Sequence, residues 1–212
     1  MLRIYGNRRS GNSNKVEYTA ILLGLEYDFK EMDFQKDLKT EQYLKVHPAG
    51  KIPAIDDNGF ILFESGAICK YLCDKNGSTL FPKDLKKRAI VEQWGDFSVQ
   101  HVGTAMSKVA FNMVFAPMRG MPTDEKSLKE GLENLERFLP IVDYQLSKSK
   151  YLAGDTMTLA DLTLFSVLEY ADAAKFDLSN YKSITKWRKH IMEMEFYKKF
   201  HEKSNVLDIP VI

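Results

Sequence analysis

The sequence is poor in cysteine, in unbalanced charge and in long apolar runs, and each shortage excludes a class of protein. Its two cysteines, Cys69 and Cys73, lie four positions apart without partners at metal-ligand spacing, so we expect reduced core thiols and no metal site. Lysine and arginine number 30 against 29 aspartate and glutamate, which argues against nucleic acid as a partner. No segment approaches ~18 apolar residues and the N-terminus has no signal-peptide pattern, so no membrane association and a cytoplasmic location are expected.

The most informative segment is His47 to Leu72. Residues 51–56 (KIPAID) and 60–63 (FILF), separated by the turn 57–59, predict a β-hairpin. Pro53 cannot donate a hydrogen bond to a neighbouring strand, so it requires an edge, a bulge or a cis bond beside something that uses the free backbone. A peptide-like ligand would fit that requirement.

Glu64 and Ser65 follow the second strand and open a helix that carries Ile68 and Leu72 on one face. A carboxylate, a hydroxyl and unpaired amide groups therefore gather at a helix N-terminus. Such a terminus favours an anionic group.

KIPAI followed by ESGAICKYL closely resembles the glutathione-binding half of cytosolic glutathione S-transferases, in which an apolar-Pro-Ala-Leu/Ile strand precedes a Glu/Gln-Ser helix start. The resemblance extends over nearly the whole chain. It implies a homodimeric enzyme of detoxification that takes glutathione as co-substrate and a hydrophobic electrophile as second substrate. Three alternatives stay open: a non-catalytic binding or interaction module of the same fold, a specialised glutathione-dependent isomerase, dehalogenase or peroxidase, and a hairpin and capped helix without a ligand.

The predicted element order at the N-terminus is βαβ, a short helix and then ββα. The elements ahead of the hairpin are a strand over residues 2–5, a helix from about 14 to 25, a strand over 27–34 and a short helix around 41–46. Asn12 or Ser13 is expected to cap the first helix. A parallel βαβ pair joined to an antiparallel hairpin makes a mixed four-stranded sheet, which is the thioredoxin-like order.

The C-terminal part of the sequence predicts helices only. The predicted division is a thioredoxin-like glutathione-binding domain at residues 1–76, a linker at 77–84 and an all-helical bundle at 85–212 that contributes the hydrophobic substrate pocket. A long helix from Ala89 is expected to break at Ala116-Pro117, and Thr158 with Asp161 predicts a capping box. Apolar residues of the long helix are candidates for the pocket, with core packing as the alternative: Met106, Val109, Met113, Phe115 and Met118.

A glutathione transferase must present the glutathione sulfur as a thiolate, because the thiolate is the nucleophile. A free thiol titrates near ~8.5, so ionising half of it at neutral pH requires about 2 kcal/mol of preferential stabilisation. One hydrogen bond to the charged sulfur supplies roughly 1.5–3 kcal/mol, and a helix N-terminus adds ~0.3–1 kcal/mol. A single hydroxyl at the start of the first helix is therefore sufficient.

Ser10 is the predicted donor. It follows Tyr5 in the spacing Y-x-x-x-x-S, which resembles the serine-type transferases of the phi and theta classes or a related bacterial class. In that family the serine hydroxyl points at the glutathione sulfur, and Asn12 would support the same contact. Gly11 stands where many serine-type members carry proline, and Ser13 is an alternative donor; a loop in which these side chains only shape and cap the helix is a further alternative.

The resemblance also implies which residues hold the rest of the tripeptide. The backbone of Ile52 would pair with the cysteinyl unit beside a cis Pro53. Glu64 would hold the γ-glutamyl ammonium, and Ser65 with its amide the γ-glutamyl carboxylate.

Two lysines are expected at the opposite end of the ligand. Lys39 and Lys51 are placed to meet the glycine carboxylate of glutathione. Ordinary surface positions are the alternative for both.

Overall fold

The computed structural model describes residues 1–204, which fall into two compact units. Of the described residues, Met1–Phe81 and Glu195–Ser204 form the first unit, and Pro82–Met194 form the second. The point of division lies inside the segment 77–84 that the sequence indicates as a linker. Residues Glu195–Ser204 belong to the first unit, whereas the sequence assigns them to the helical domain at 85–212.

A four-stranded mixed sheet forms the centre of the first unit. Its strands are β1 (Leu2–Gly6), β2 (Tyr27–Glu31), β3 (Ala54–Asp57) and β4 (Phe60–Phe63). Their order is β2-β1-β3-β4, with β1 parallel to β2 and the other neighbours antiparallel, which confirms the thioredoxin-like prediction. Strand β2 is shorter than predicted because Asp33 starts a turn, in which its carboxylate accepts the amides of Gln35 and Lys36.

The hairpin between β3 and β4 is tighter than the sequence suggests. Asp57 belongs to β3, and Asn58 and Gly59 alone form the loop, with φ angles of 55° and 93°. Positive φ at both loop residues is the geometry of a two-residue hairpin turn, which matches the right-handed twist of the strands. The hairpin itself is therefore confirmed.

Three helices follow or separate the strands of the first unit: α1 (Gly11–Leu22), α2 (Glu41–Leu44) and α3 (Ser65–Lys75). The prediction that Asn12 or Ser13 caps α1 is wrong. The carbonyl of Ser10 accepts the amides of Ser13 and Asn14 at 2.8 and 2.9 Å, so Ser10 occupies the N-cap and the helix begins at Gly11.

Helical backbone runs without interruption from Leu85 to Met118. It comprises α4 (Leu85–Phe97), a π-helical segment (Ser98–Gly103), α5 (Thr104–Ala110), a second π-helical segment (Phe111–Phe115) and α6 (Ala116–Met118). The predicted break at Ala116-Pro117 is wrong, since helical backbone continues through Pro117 to Met118. The helix ends instead before Gly120, whose φ is 63°.

The remaining helices of the second unit pack against this segment and against one another. They are α7 (Glu125–Lys148), α8 (Leu159–Leu168), α9 (Tyr170–Ala173) and α10 (Lys182–Met192). The predicted capping box at the start of α8 is confirmed, since the carboxylate of Asp161 accepts the amide of Thr158 at 2.9 Å. The same carboxylate accepts the indole N–H of Trp187 at 3.2 Å, which ties α8 to α10.

The last described helix, α11 (Glu195–Ser204), packs on α1 in the first unit. The fully buried ring of Tyr18 contacts the rings of Phe196 and Phe200 at centroid distances of 5.5 and 4.7 Å. Edge-to-face aromatic packing of this kind adds stabilisation beyond apolar burial. None of the helices within residues 1–204 combines the length and apolar character that a membrane crossing requires.

Candidate active site

The strand order brings three chain segments to one edge of the sheet. Because β1 and β3 are antiparallel, Ala54 at the start of β3 pairs with Tyr5 near the end of β1. Because β3 and β4 are antiparallel, the same Ala54 pairs with Phe63 at the end of β4. The loop that holds Ser10, the segment before Ala54 and the start of α3 therefore meet at this edge.

Ser10 and Ser13 differ in what their hydroxyl groups do. Ser13 is fully buried, and its hydroxyl accepts the amide of Asn7 at 3.2 Å. Ser10 is half-buried at the N-cap of α1, and within residues 1–204 its hydroxyl makes neither a capping bond nor any other hydrogen bond. Of these two serines, burial keeps Ser13 from a ligand, and Ser10 is the one whose hydroxyl can reach a ligand at the start of the helix.

Asn12 connects the first helix to the third. Its side chain is exposed, and its Oδ1 accepts the hydroxyl of Ser65 at 3.2 Å. This contact places the N-terminal turns of α1 and α3 side by side, although the two residues are 53 positions apart in sequence. Ser10, Asn12 and Ser65 thus belong to one cluster.

The bond between Ile52 and Pro53 is cis, as predicted. Pro53 is buried, and Ile52, just before it, is half-buried. In the part of the chain that the structure describes, neither the amide nor the carbonyl of Ile52 has a hydrogen-bond partner. Since backbone groups that are removed from water are normally paired, this peptide edge is available to a ligand with a backbone of its own.

Glu64 stands at the N-cap of α3 with φ 70° and ψ 109°. A residue other than glycine rarely adopts positive φ, and such conformations concentrate at ligand sites, where the surrounding fold holds them in place. Among the described residues, no side chain caps α3. The amide of Ile68 donates to the carbonyl of Glu64 at 2.9 Å, which is the first hydrogen bond of the helix. The amides of Ser65, Gly66 and Ala67 therefore point outward for an anion.

Lys39 and Lys51 are exposed, and the fold brings their backbones close together. A Cβ on Gly50 would lie 2.6 Å from the carbonyl oxygen of Leu38, so the residues preceding the two lysines are in direct contact. The carbonyl of Lys51 accepts the hydroxyl of Tyr43 at 2.7 Å, which fixes its backbone against α2. No contact joins either lysine to Ser10 or Glu64 within the described residues.

Lys15 lies beside this site and was not predicted from the sequence. It is only 2% exposed on α1, and burial lowers the pKa of its ammonium, while Glu64 and Cys69 are near enough to act in the opposite direction. An amphipathic pattern assigns Lys15 to the solvent side of the helix. Its burial follows from the packing of α1 between the sheet, α3 and α11, which no local pattern indicates.

The two cysteines are free and buried, in agreement with the sequence. Burial raises the pKa of the Cys69 thiol, and it raises the pKa of Cys73 to about 12. Such thiols are poor nucleophiles near neutral pH. Among the described residues, no group of three or more His, Cys, Asp and Glu side chains could hold a metal ion.

The arrangement suits a small peptide that carries both charges and a reactive group. It offers a free hydroxyl at one helix N-terminus, open amides at another, a carboxylate, an unpaired peptide edge and two exposed lysines. Open amides suit a carboxylate, a carboxylate suits an ammonium, an unpaired peptide suits an extended backbone, and lysines suit a second carboxylate. The hydroxyl is left for the group that reacts.

Comparison with known proteins agrees with this description. Residues 1–74 match the family profile "Glutathione S-transferase, N-terminal domain", and residues 106–195 match "Glutathione S-transferase, C-terminal domain". Glutathione S-transferase F10 of Arabidopsis thaliana is 36% identical over 163 residues, which cover 75% of this chain and 76% of the relative.

Solved structures extend the similarity to almost the whole chain. The crystal structure of glutathione transferase F2 from Populus trichocarpa is similar with a TM-score of 0.89 and 29% identity, over 97% of this chain and 99% of that one. Glutathione S-transferase I from maize, in complex with an atrazine glutathione conjugate, has a TM-score of 0.87 and 30% identity, over 98% and 99% of the two chains.

A thioredoxin-like unit followed by a helical unit, with an anion-binding cluster at the sheet edge, is the architecture of an enzyme that acts on a thiol peptide. The chain belongs to the glutathione S-transferase family. It is a glutathione transferase, and glutathione is its co-substrate.

Proposed function

We propose that Ser10 activates glutathione by donating its hydroxyl hydrogen to the sulfur, so that the thiolate attacks a hydrophobic electrophile. The observation that carries the proposal is the free hydroxyl of Ser10 at the N-cap of α1, beside the Ser65 cluster. The α1 N-terminus adds a favourable field for a negative sulfur. The buried Ser13 hydroxyl already accepts the Asn7 amide, so it serves the loop and not the ligand.

The tripeptide then lies along the edge of the sheet. The unpaired backbone of Ile52, next to Pro53, hydrogen bonds to the cysteinyl unit in the manner of an added strand. Glu64 binds the γ-glutamyl ammonium, and the hydroxyl and amide of Ser65 bind the γ-glutamyl carboxylate. The Ser65 hydroxyl donates to Oδ1 of Asn12 at 3.2 Å, and on binding it exchanges this acceptor for the γ-glutamyl carboxylate.

Lys39 and Lys51 bind the glycine carboxylate. Support comes from their exposure and from the contact between Leu38 and Gly50, which brings the backbones of the two lysines close together. Exposed lysines attract a carboxylate over several ångströms at low ionic strength, and salt weakens this attraction. Their contribution is to affinity and not to ionisation of the thiol.

The chemical step is a substitution or an addition. In a substitution on an aryl halide, the thiolate forms a carbon–sulfur bond as the carbon–halogen bond breaks and halide departs with the electron pair. Two of the proposed pocket residues, Met106 and Val109, are 1% and 2% exposed and serve the core of the helical unit. Met113 and Met118, at 47% and 52% exposure, supply the adaptable apolar surface that varied electrophiles require.

The protein works as a homodimer in the cytoplasm, in detoxification. Support for the dimer comes from β4, an edge strand on which Phe60, Ile61 and Phe63 are 48%, 37% and 39% exposed. An exposed apolar edge strand is a liability for a monomer, and a second copy of the chain would cover it. The helical unit from residue 85 to Met194 carries the electrophile pocket.

Titration of bound glutathione tests the central claim. The ultraviolet absorbance of the thiolate is followed against pH at saturating glutathione for the parent, Ser10→Ala, Ser10→Thr and Ser13→Ala. We expect Ser10→Ala to raise the thiol pKa by about 1 to 2 units, because one hydrogen bond to a charged group is lost, and Ser10→Thr to preserve most of the parent value.

Ser13→Ala provides the matched control, since it removes a neighbouring hydroxyl that faces the protein interior. We expect it to lower the free energy of unfolding without changing the thiol pKa. An unchanged thiol pKa in Ser10→Ala, with glutathione bound, would remove Ser10 from the activating role.

A further inference from the structure

A charged pair anchors the loop that presents Ser10. Arg8 lies two residues before Ser10, and its guanidinium forms a bidentate contact with the carboxylate of Glu17 on α1, at 3.1 Å from Nε and 2.8 Å from Nη2. The Glu17 side chain is completely buried, and that of Arg8 is 17% exposed. A bidentate arginine–carboxylate pair fixes orientation as well as distance.

Strand β2 holds the same pair from the other side. The hydroxyl of Tyr27 donates to Glu17 at 2.9 Å, and the Arg8 guanidinium lies over the ring of Phe29 at 4.2 Å. The backbone amide of Arg8 donates to the carboxylate of Glu31 at 3.1 Å. Both the side chain and the backbone of Arg8 are therefore fixed relative to β2 and α1.

The loop transmits this constraint directly to Ser10. The amide of Ser10 donates to the carbonyl of Asn7 at 2.8 Å, which closes a tight turn around Arg8. The hydroxyl of Ser10 has no hydrogen bond among the described residues, so its position depends on the loop backbone alone. A donor that must meet a sulfur within a few tenths of an ångström needs a support of this kind.

We infer that Arg8 and Glu17 are positioning residues for the activation of glutathione, and that their pairing sets the place of the Ser10 hydroxyl. The inference rests on the proposed role of Ser10. It assigns a function to a buried ion pair that touches neither glutathione nor the electrophile. Loss of Arg8 leaves the buried Glu17 carboxylate without its cation, and loss of Glu17 leaves Arg8 only its longer contact with Glu31 at 3.8 Å; either change releases the turn from α1.

The sign of the effect separates positioning from a direct electrostatic influence. If the two charges acted on the sulfur through space, removing the cation would raise the thiol pKa and removing the anion would lower it. If they act through the loop, both substitutions displace Ser10 and both raise the thiol pKa. The two mechanisms therefore make opposite predictions for Glu17.

The experiment compares Arg8→Met, Arg8→Lys, Glu17→Gln and the double variant Arg8→Met/Glu17→Gln with the parent and with Ser10→Ala. Arg3→Met is the matched control. Arg3 on β1 forms an exposed pair with Asp28 on β2 at 2.7 Å, and within the described residues this pair does not contact the loop of Ser10. Thiolate absorbance at saturating glutathione gives the thiol pKa, and kcat is measured against pH with an aryl halide. Circular dichroism and binding of glutathione confirm that each variant is folded.

We expect Arg8→Met and Glu17→Gln each to raise the thiol pKa by about half to one unit, which is roughly a three- to tenfold loss of thiolate below the pKa. The double variant should show no larger shift than the single variants, since the loop is already released. Arg8→Lys should show a smaller shift, and Arg3→Met none. Activity lost at low pH should return as the pH rises, which general structural damage would not allow.

The outcomes divide cleanly. A raised thiol pKa in both single variants supports the inference, whereas an unchanged or lowered value in Glu17→Gln, with a normal shift in Ser10→Ala, overturns it and leaves the proposed function intact. An unchanged value in Ser10→Ala overturns the proposed function itself. If Glu17→Gln does not fold, Tyr27→Phe removes one hydrogen bond to the same carboxylate, and the absence of any shift in that variant overturns the inference.

Discussion

Lys15 carries a charge in a place where its charge is unfavourable. Only 2% of its surface is exposed, and burial lowers the pKa of its ammonium below the value near ~10.4 that a lysine has in an unfolded chain. At a pH between the lowered pKa of Lys15 in the folded protein and its pKa in the unfolded chain, the unfolded chain binds more protons than the folded one. The free energy of unfolding should therefore rise with pH through that window, as the cost of the buried ammonium disappears.

Lys15→Met should stabilise the protein at neutral pH. Because the substitution replaces a buried ammonium with an apolar side chain of similar length, we expect the free energy of unfolding to increase by about 1 kcal/mol at pH 7. The advantage over the parent should shrink as the pH approaches the lysine pKa of the unfolded chain. Urea unfolding at neutral and alkaline pH measures both effects.

Lys45→Met is the control for this prediction, since Lys45 is exposed at the end of α2. Surface substitutions of this kind change stability by no more than about 0.5 kcal/mol. A lower stability of Lys15→Met at neutral pH would contradict the prediction. It would show that the ammonium is stabilised where it lies.

Residues whose roles depend on local backbone were predictable from the sequence. The motif predicts a cis bond before Pro53, and the structure has one. It also predicts a helix start at Glu64 and Ser65, and α3 begins there. The burial of Lys15 and the pairing of Arg8 with Glu17 were not predictable. Both depend on which face of α1 meets the sheet and its neighbouring helices, which is a property of tertiary packing.

At the level of elements, helices α5 and α7 of the second unit pack closely against each other. Helix α7 approaches α5 at Gly131, where an added Cβ would lie 3.0 Å from the carbonyl oxygen of Ala105 and 3.0 Å from side-chain atoms of Lys108 and Val109. At distances this short, the neighbouring atoms must shift by a few tenths of an ångström to admit a Cβ. A glycine is needed here because of the close approach and not because of its φ angle.

Gly131→Ala should destabilise the protein by about 1 to 3 kcal/mol, because overpacking a tight contact costs more than the gain in helix propensity. Gly95→Ala is a matched control in α4, where an added Cβ meets nothing within 4 Å. That variant should be stabilised by about 0.5 to 1 kcal/mol through helix propensity alone. Thermal unfolding of the two variants should shift in opposite directions; a shift of both to higher temperature would contradict the close contact.

Helix existence was easier to predict than helix continuity. The capping box of Thr158 and Asp161 is a local pattern, and α8 begins where it indicates. Pro117 is also a local signal, but its consequence depends on the register of the turns before it. Pro117 follows a π-helical segment inside continuous helical backbone, and the helix ends one residue later, at Met118.

For the whole molecule, the position of a helix along the chain does not determine the unit in which it packs. The sequence divides near residues 77–84, yet α11 packs against α1, with Tyr18 against Phe196 and Phe200. The amphipathic pattern of α11 predicts an apolar face but not its partner. A boundary drawn from the sequence alone can therefore assign the last described helix to the other unit.

The exposed apolar edge of the sheet leads to a test of the proposed homodimer. Strand β4 is one edge of the sheet and β2 is the other. Phe60 is 48% exposed on β4, and its ring contacts Tyr71 of α3 at a centroid distance of 5.1 Å. If a second copy covers this edge, a charge at Phe60 would be buried without a partner in the dimer and solvated in the monomer.

Phe60→Glu should therefore convert the dimer into a monomer, whereas Phe34→Glu should not. Phe34 offers a matched control, since it is 44% exposed but follows β2 at the opposite edge of the sheet. Size-exclusion chromatography with light scattering, over a range of micromolar concentrations, measures the mass of each variant, and circular dichroism verifies that it is folded. A parent that is monomeric throughout this range would contradict the homodimer, and a dimer that survives in Phe60→Glu but dissociates in Phe34→Glu would move the interface from β4 to the β2 edge.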